Sequence, residues 1–342
     1  MAEMMRALKI VAKLDMRIEE VPVPTPSNNQ VRVRIAYVGI CGTDLHYYFE
    51  GANGAFVIKE PLTPGHELSG VVDLDPSGKY PKGTPVTFHP ATLGKPEEAI
   101  QDRPNIWPGG RYFGSAATFP HTQGGAADFM IVESSMIRVL PSSLPLKTAA
   151  LAEPLAVGLH AIVISGGVED KTVLISGAGP IGLLLAEAAK IKGAREVTIS
   201  DVLPGPLERA TALGGISTVR IGAQALLENH FDIVFECSGV IQALSSALVA
   251  VRRGGIVVQV GTLASGDLPV AINPIIAKEI ELRGTFRFSD EVDEAIVLLD
   301  QNSAIAKVIT HEFSLERAVE ALEVAKDSQI SGKVLIAVNA GE

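Results

Sequence analysis

The sequence predicts an α/β fold in two parts, a mainly β first part followed by a doubly wound parallel sheet. Three observations predict it. From Lys171 onward, strand-like apolar runs alternate with helical ones, the texture of a parallel sheet covered on both faces. Before that, residues 31–38 alternate as a half-buried strand does, and Pro22, Pro24, Pro26, Pro61 and Pro64 punctuate short elements. The length, 342 residues, also exceeds what a single core comfortably fills.

Taken in order, the β-rich part runs into a long stretch between His89 and Gly125 that is rich in Gly and Pro and has little periodicity. Loops of that length usually serve a site or an interface. Pro141-Ser142-Ser143-Leu144-Pro145 marks a seam. The apolar stretch 148–166 is interrupted by Glu153, Pro154 and His160, which suits a buried segment between domains better than a membrane span. Strands are expected at 172–176, 196–200, 231–236 and 256–260, with helices at 181–191, 206–213 and 241–251. A helix near 289–299 and a closing strand near 332–338 follow, and the C-terminal piece can return to pack on the first domain.

Composition narrows the function classes. A net charge of −10 gives no support for nucleic-acid or anionic-membrane binding. Residues 1–10 carry Glu3 and Arg6 and lack an apolar core of signal-peptide length. With only two cysteines, Cys41 and Cys237, a disulfide framework is not expected and a reducing cytoplasm is.

Two motifs carry chemistry. Val173-Leu174-Ile175-Ser176 runs into Gly177-Ala178-Gly179-Pro180-Ile181-Gly182, a phosphate-cradling turn at a strand-to-helix junction. Gly177 suits the tight turn, Gly179 lets backbone approach a pyrophosphate, and Gly182 lets helix and strand touch. Asp201 ends the next strand, where a carboxylate bonds an adenosine ribose 2′-OH and repels a 2′-phosphate, so NAD is expected over NADP. Val202 and Leu203 supply no cation to reverse this, although Arg209 is near in sequence. The second motif is Cys41-Gly42-Thr43-Asp44-Leu45-His46 with Gly65-His66-Glu67. A thiolate, an imidazole and a carboxylate can hold one zinc ion and leave a coordination position open. Read singly, Cys41 suits a small buried hydrophobe as well as a ligand, and His66-Glu67 suits a turn with a surface ion pair. Adjacent residues on a strand face opposite ways, so both reach one metal only if the backbone bends, which Pro64 and Gly65 permit.

Cys41 to Tyr48, Gly65-His66-Glu67-Leu68-Ser69-Gly70 and Glu153-Pro154-Leu155 resemble the zinc-dependent medium-chain dehydrogenases over essentially the whole chain. The resemblance is to the polyol branch, that of the sorbitol and L-idonate 5-dehydrogenases. Leu282 to Phe288, Phe113-Gly114-Ser115 and Phe119-Pro120-His121 lean toward the idonate side. The resemblance implies a GroES-like zinc catalytic domain from residues 1–149 and 286–342, with a Rossmann NAD-binding domain at 150–285 between. It implies Cys41, His66 and Glu67 as zinc ligands, with Glu153 ligating the metal or orienting its water. Thr43 and His46 would relay the alcohol proton; as residues alone they equally suit caps of a turn. Tyr47, His121, Arg287 and Phe288 would line the substrate pocket, Phe288 where sorbitol dehydrogenases carry a tyrosine. Pro180, Ile181, Val260, Thr262 and Phe286 complete the cofactor contacts expected beside the glycine turn and Asp201.

Many relatives hold a second, structural zinc on four cysteines in the lobe after the first catalytic segment. Residues 90–110 contain no cysteine, so one catalytic zinc per chain and no structural site is expected. The expected activity is hydride transfer from a secondary hydroxyl of a polyol or sugar acid to NAD. The alternatives are a sorbitol or xylitol dehydrogenase, a dehydrogenase of simpler secondary alcohols, and, more remotely, a non-catalytic NADH sensor. The partner is a small molecule, with no nucleic acid or membrane, and the resemblance suggests a homodimer or homotetramer.

Overall fold

The structure, a computed structural model, describes residues 3–341; residues 1, 2 and 342, the outer ends of the expected first domain, lie outside it. Two large sheets organise these residues. In the six-stranded one every neighbouring pair is parallel, and the strands lie in the order Ser217–Arg220, Glu196–Asp201, Thr172–Ser176, Phe231–Glu236, Val251–Gln259, Glu281–Gly284. Its central strands are buried on both faces, Val173, Leu174 and Ile175 without exposed surface, as a parallel sheet between helices requires. The strand order reverses between Thr172–Ser176 and Phe231–Glu236, the kind of switch point beyond whose carboxyl ends open α/β sheets bind ligands.

The second sheet has seven strands and is mainly antiparallel. Its path is Ile137–Val139, Pro85–Phe88, Glu67–Leu74, Gln30–Gly39, Lys333–Ala337, Ile309–Ser314, and Phe129–Glu133 pairs on Gln30–Gly39 as well. Lys333–Ala337 comes from the far end of the chain and lies antiparallel beside Gln30–Gly39. That pairing brings Lys333 to the end of the sheet where Gly39 faces Glu67.

The apolar stretch 148–166 contains the helix Ala152–Ser165, buried almost all round. It packs on the helices Pro180–Ile191 and Glu291–Gln301 and also meets Glu67–Leu74, so it bridges the two sheets. Among the described residues no helix is long and apolar enough to cross a membrane.

Several elements differ from the sequence expectation. The helix Pro204–Leu213 starts two residues earlier than 206, because Pro204 takes its first turn, where a missing N–H is harmless. The strand Val251–Gln259 begins at 251, directly after the helix Ile241–Ala250, and no Gly or Pro separates the two. Ser217–Arg220 and Glu281–Gly284 were not foreseen; both are edge strands with largely exposed side chains, which erases the apolar alternation. The helices Gly42–Glu50 and Ala318–Lys326 and the strand Ile309–Ser314 were also unread.

Candidate active site

The helix Gly42–Glu50 begins at Cys41, whose extended backbone (φ −95°, ψ 159°) makes it the N-cap. Asp44, in the first turn and 3% exposed, accepts from the Cys41 amide at 3.0 Å. Its other oxygen accepts from the Gly65 amide at 3.2 Å, so one buried carboxylate ties together the two segments that carry Cys41 and His66. The sequence alone gives no sign of this link through Asp44. Gly65 takes a left-handed φ of 95°, the bend that lets His66 precede the strand while Glu67 opens it.

Cys41, His66 and Glu67 each offer a ligand atom within 4.8 Å of the others. His66 Nδ1 and Glu67 Oε2 are buried and have no hydrogen-bond partner among the described residues. Unpaired buried polar atoms are costly, and a cation among them removes the cost. Burial alone would push His66 down, but Cys41, Glu153 and Asp44 outweigh it and hold the imidazole up at about 10. An excess of negative groups about one point, made of S, N and O donors, fits a zinc ion.

Room for the Glu67 carboxylate depends on Gly39: a Cβ there would lie 2.0 Å from Glu67 Oε2. Lys333, which the sequence reading missed, donates to Glu67 Oε1 at 2.6 Å and to the Ile40 carbonyl at 3.0 Å. Both partners of this pair are buried, with side chains 3% and 1% exposed.

Glu153 sits in the first turn of Ala152–Ser165 and is 6% exposed, but it does not belong to the three-residue ligand cluster. Its Oε1 accepts from the Tyr112 hydroxyl at 2.6 Å. Burial and the nearby Glu67 push its pKa up, against His66. Tyr112, from the long Gly- and Pro-rich stretch, also packs edge-on to His66, with ring centroids 5.4 Å apart. Its only sequence signal was an aromatic inside a loop too long to be a mere connector.

Arg287 has its guanidinium 4.0 Å from the centroid of Tyr112 and 4.7 Å from that of Phe286. Its own φ is +53°, an uncommon backbone for a residue other than glycine. Burial lowers its pKa, opposed by Tyr112 and Glu153. Tyr47 is fully buried, and its hydroxyl accepts from the Ala116 amide at 2.9 Å. Thr43 lies beside Cys41 (Oγ1 to Sγ 3.9 Å), while His46 is exposed and pairs with Glu50 at 3.1 Å.

Two expected pocket residues are spent elsewhere. Both ring nitrogens of His121 bond backbone, Nε2 to the Lys59 amide at 2.8 Å and Nδ1 to the Thr118 carbonyl at 2.8 Å, leaving none for a substrate. Phe288 is 2% exposed and packs in the hydrophobic core, edge-on to His89.

The glycine turn shows the fit expected for a dinucleotide. A Cβ on Gly182 would lie 2.0 Å from the Gly177 carbonyl oxygen, whereas a Cβ on Gly179 would meet nothing within 4 Å, so space opens there. Asp201 accepts from the Ala178 amide at 2.8 Å and the Leu203 amide at 2.9 Å, which places its carboxylate against the turn. Arg209 is engaged by the carbonyls of Ser328 and Gln329. Across the switch point Glu236, fully buried, binds the amides of Ser238 and Gly239 and the Gln259 side chain; its carbonyl takes the amides of Val260 and Gly261. Glu236 thereby shapes both loops beside Val260 and Thr262, and the sequence reading had no role for it.

Hydrogen bonds tie residues 90–110 together. Ala91–Thr92 pairs with Arg111–Tyr112, Lys95 donates to the Pro108 carbonyl at 2.9 Å, and the Trp107 indole donates to the Ile100 carbonyl at 2.9 Å. Among the described residues Cys41, His66 and Glu67 form the one cluster suited to a metal.

Comparison with known proteins agrees with this architecture. Residues 27–142 match the alcohol dehydrogenase GroES-like domain and residues 180–301 the zinc-binding dehydrogenase family. The chain is 37% identical to L-idonate 5-dehydrogenase (NAD(P)(+)) of Escherichia coli over 90% of this chain and 92% of that one. It is 32% identical to sorbitol dehydrogenase of Bacillus subtilis, over 91% and 90% of the two chains. The crystal structure of the Escherichia coli L-idonate 5-dehydrogenase superposes with a TM-score of 0.92 at 34% identity, covering 98% of this chain and 99% of that one. The chain belongs to the zinc-dependent medium-chain alcohol and polyol dehydrogenases, with their GroES-like and Rossmann-type halves. It is an oxidoreductase of CH–OH donors that uses zinc and NAD(P).

Proposed function

We propose that the chain oxidises a secondary hydroxyl of a sugar acid, as an L-idonate 5-dehydrogenase does, with NAD preferred to NADP. The observation that carries this is Arg287. Its guanidinium is held by stacking on Tyr112 and Phe286 next to Glu153, and no hydrogen bond or ion pair consumes its donors among the described residues. A planar fork with free donors beside a metal pocket suits a polyhydroxylated chain, and a carboxylate best of all.

Cys41, His66 and Glu67 would hold zinc, with Glu153 beside it. Bound zinc would lower the pKa of the substrate hydroxyl, and bound NAD would accept the hydride, so alcohol gives ketone, NADH and a proton. Glu153, its pKa raised by burial and its carboxylate oriented by Tyr112, would take the proton. Thr43, beside Cys41, and exposed His46 would pass the proton on toward solvent. Asp201, against the glycine turn, would bind the ribose hydroxyls and disfavour a 2′-phosphate.

A neutral polyol such as sorbitol or xylitol is the second reading, favoured by the same donors, since hydroxyls also accept from a guanidinium. Comparing kcat/KM for L-idonate, D-gluconate, sorbitol and xylitol separates them. Arg287→Lys is expected to reduce L-idonate turnover at least tenfold more than sorbitol turnover; equal losses would refute the sugar-acid reading.

We also propose residues 1–149 with 286–342 as the catalytic unit and 150–285 as the nucleotide unit. The working protein is cytoplasmic, in keeping with its two free cysteines, and a homodimer or homotetramer. Light scattering on the purified chain tests the assembly.

A further inference from the structure

The turn that carries Arg287 is closed by a ring of hydrogen bonds whose side chains, Asn105, His160, Ser289 and Glu291, belong to neither the metal cluster nor the expected nucleotide contacts. The Asn105 amide nitrogen donates to the Phe286 carbonyl at 2.8 Å, and its oxygen accepts from the Ser289 hydroxyl at 3.1 Å, so one side chain spans both ends of residues 286–289. The same amide nitrogen lies 3.3 Å from His160 Nε2. His160 Nδ1 lies 2.7 Å from Glu291 Oε1, and Glu291 Oε2 accepts from the Ser289 amide at 2.6 Å. With the proton on Nδ1, His160 donates to Glu291 and accepts from Asn105, and every hydrogen of the Asn105 amide has a partner. The His160 side chain is 8% exposed and that of Glu291 12%, so the pair is largely shielded from solvent.

The three contributors come from separate elements. Asn105 is in the cysteine-free stretch 90–110, in the short turn Pro104–Ile106. His160 is on Ala152–Ser165, the helix whose first turn carries Glu153, and Glu291 starts Glu291–Gln301. His89 closes the far side, its Nε2 on the Ser289 carbonyl at 2.5 Å. What the ring encloses is Arg287, in its left-handed backbone conformation (φ +53°). A strained residue persists only where its surroundings over-determine it, and here the surroundings are this ring.

We infer that Asn105, His160 and Glu291 are positioning residues that fix the Arg287 turn, so that the cysteine-free lobe helps to set specificity for polyhydroxylated substrates. This rests on the proposed role of Arg287 in binding substrate. Opening the ring releases the turn and lets the guanidinium swing from Tyr112, while zinc, the nucleotide turn and Glu153 stay in place.

The test uses Asn105→Ala, His160→Leu and His160→Gln in the full chain, each alone and with Arg287→Ala. L-Idonate, sorbitol and 2-butanol are the substrates. Asn105→Ala and His160→Leu should raise KM for the better of L-idonate and sorbitol about tenfold, the loss of one or two hydrogen bonds. Zinc content, KM for NAD and kcat/KM for 2-butanol, which has no further hydroxyls for Arg287, should stay within twofold. Gln keeps one donor and one acceptor at position 160, so His160→Gln should stay within threefold of the parent. In the Arg287→Ala background the two damaging substitutions should add less than twofold. Hydrogen exchange at 286–289 should quicken in Asn105→Ala whatever the substrate. Additive losses, equal damage to 2-butanol, or unchanged exchange would each overturn the inference. A neutral Arg287→Ala with quickened exchange would instead remove the role proposed for Arg287, and with it the specificity claim, while leaving the ring itself demonstrated.

Discussion

The nucleotide turn and the metal pocket are built in opposite ways. Gly177 to Gly182, the strand before them and the helix after them are contiguous, and Asp201 arrives with the next strand. The metal pocket gathers Cys41 and Asp44 from one helix start, His66 and Glu67 from a strand start, Glu153 from the bridging helix and Lys333 from the last strand. The first is a local device with backbone amides as its ligands. The second concentrates negative groups at one buried point and depends on distant strands to balance them.

Substituting the metal pocket should have the largest effect. Cys41→Ala removes one of the three proposed zinc ligands; zinc content should fall below one tenth per chain and kcat/KM by on the order of 10³ or more, the several kcal/mol a Lewis acid contributes. NADH binding, followed by fluorescence, should persist, because the nucleotide turn is a separate device. Parallel loss of both would break the comparison.

Lys333→Met comes next and bears on balance from afar. It leaves the Glu67 carboxylate buried without its cation, which typically costs about 3–5 kcal/mol. Urea unfolding of zinc-free protein should show that loss, and added zinc should recover part of it. A metal-free variant as stable as the parent would mean that the pair contributes nothing.

Asp201→Ala probes the local device. The ratio of kcat/KM for NAD over NADP should fall by about 10–100-fold, through weaker NAD binding and relieved repulsion of the 2′-phosphate. A ratio unchanged by the substitution would show that selectivity resides elsewhere.

The smallest effect lies at the far end of the parallel sheet. Asp232 accepts from the Thr172 amide at 2.8 Å and from Arg252 at 2.7 Å, and although burial opposes it, Arg252 and Thr172 hold its pKa down at about 2. A depressed carboxylate stabilises the fold above its unfolded pKa, near 4, and that contribution fades as pH falls through about 2. Asp232→Asn should therefore unfold more easily than the parent at pH 6, by about 1 kcal/mol. The gap should close between pH 4 and 2, as read from urea midpoints across that range; a gap that widens toward acid would contradict the sign.

Much of this molecule was legible along the chain because strand–helix alternation and the glycine turn are set by neighbouring residues. The α/β class, the strands Thr172–Ser176 and Phe231–Glu236, and the absence of cysteine from residues 90–110 needed no tertiary information. Cys41, His66 and Glu67 could be named from motif and resemblance, but their convergence within 4.8 Å depends on the Gly65 bend and the space left at Gly39. Edge strands such as Glu281–Gly284 were unreadable because one of their sides faces solvent and no alternation survives. Only the tertiary structure could decide that Lys333 balances Glu67 across 266 positions of chain, that Tyr112 orients Glu153, and that His121 and Phe288 serve the scaffold. Hydrogen bonds and ion pairs between distant segments leave no periodic trace in a sequence. They exist only once the sheets that carry them have paired.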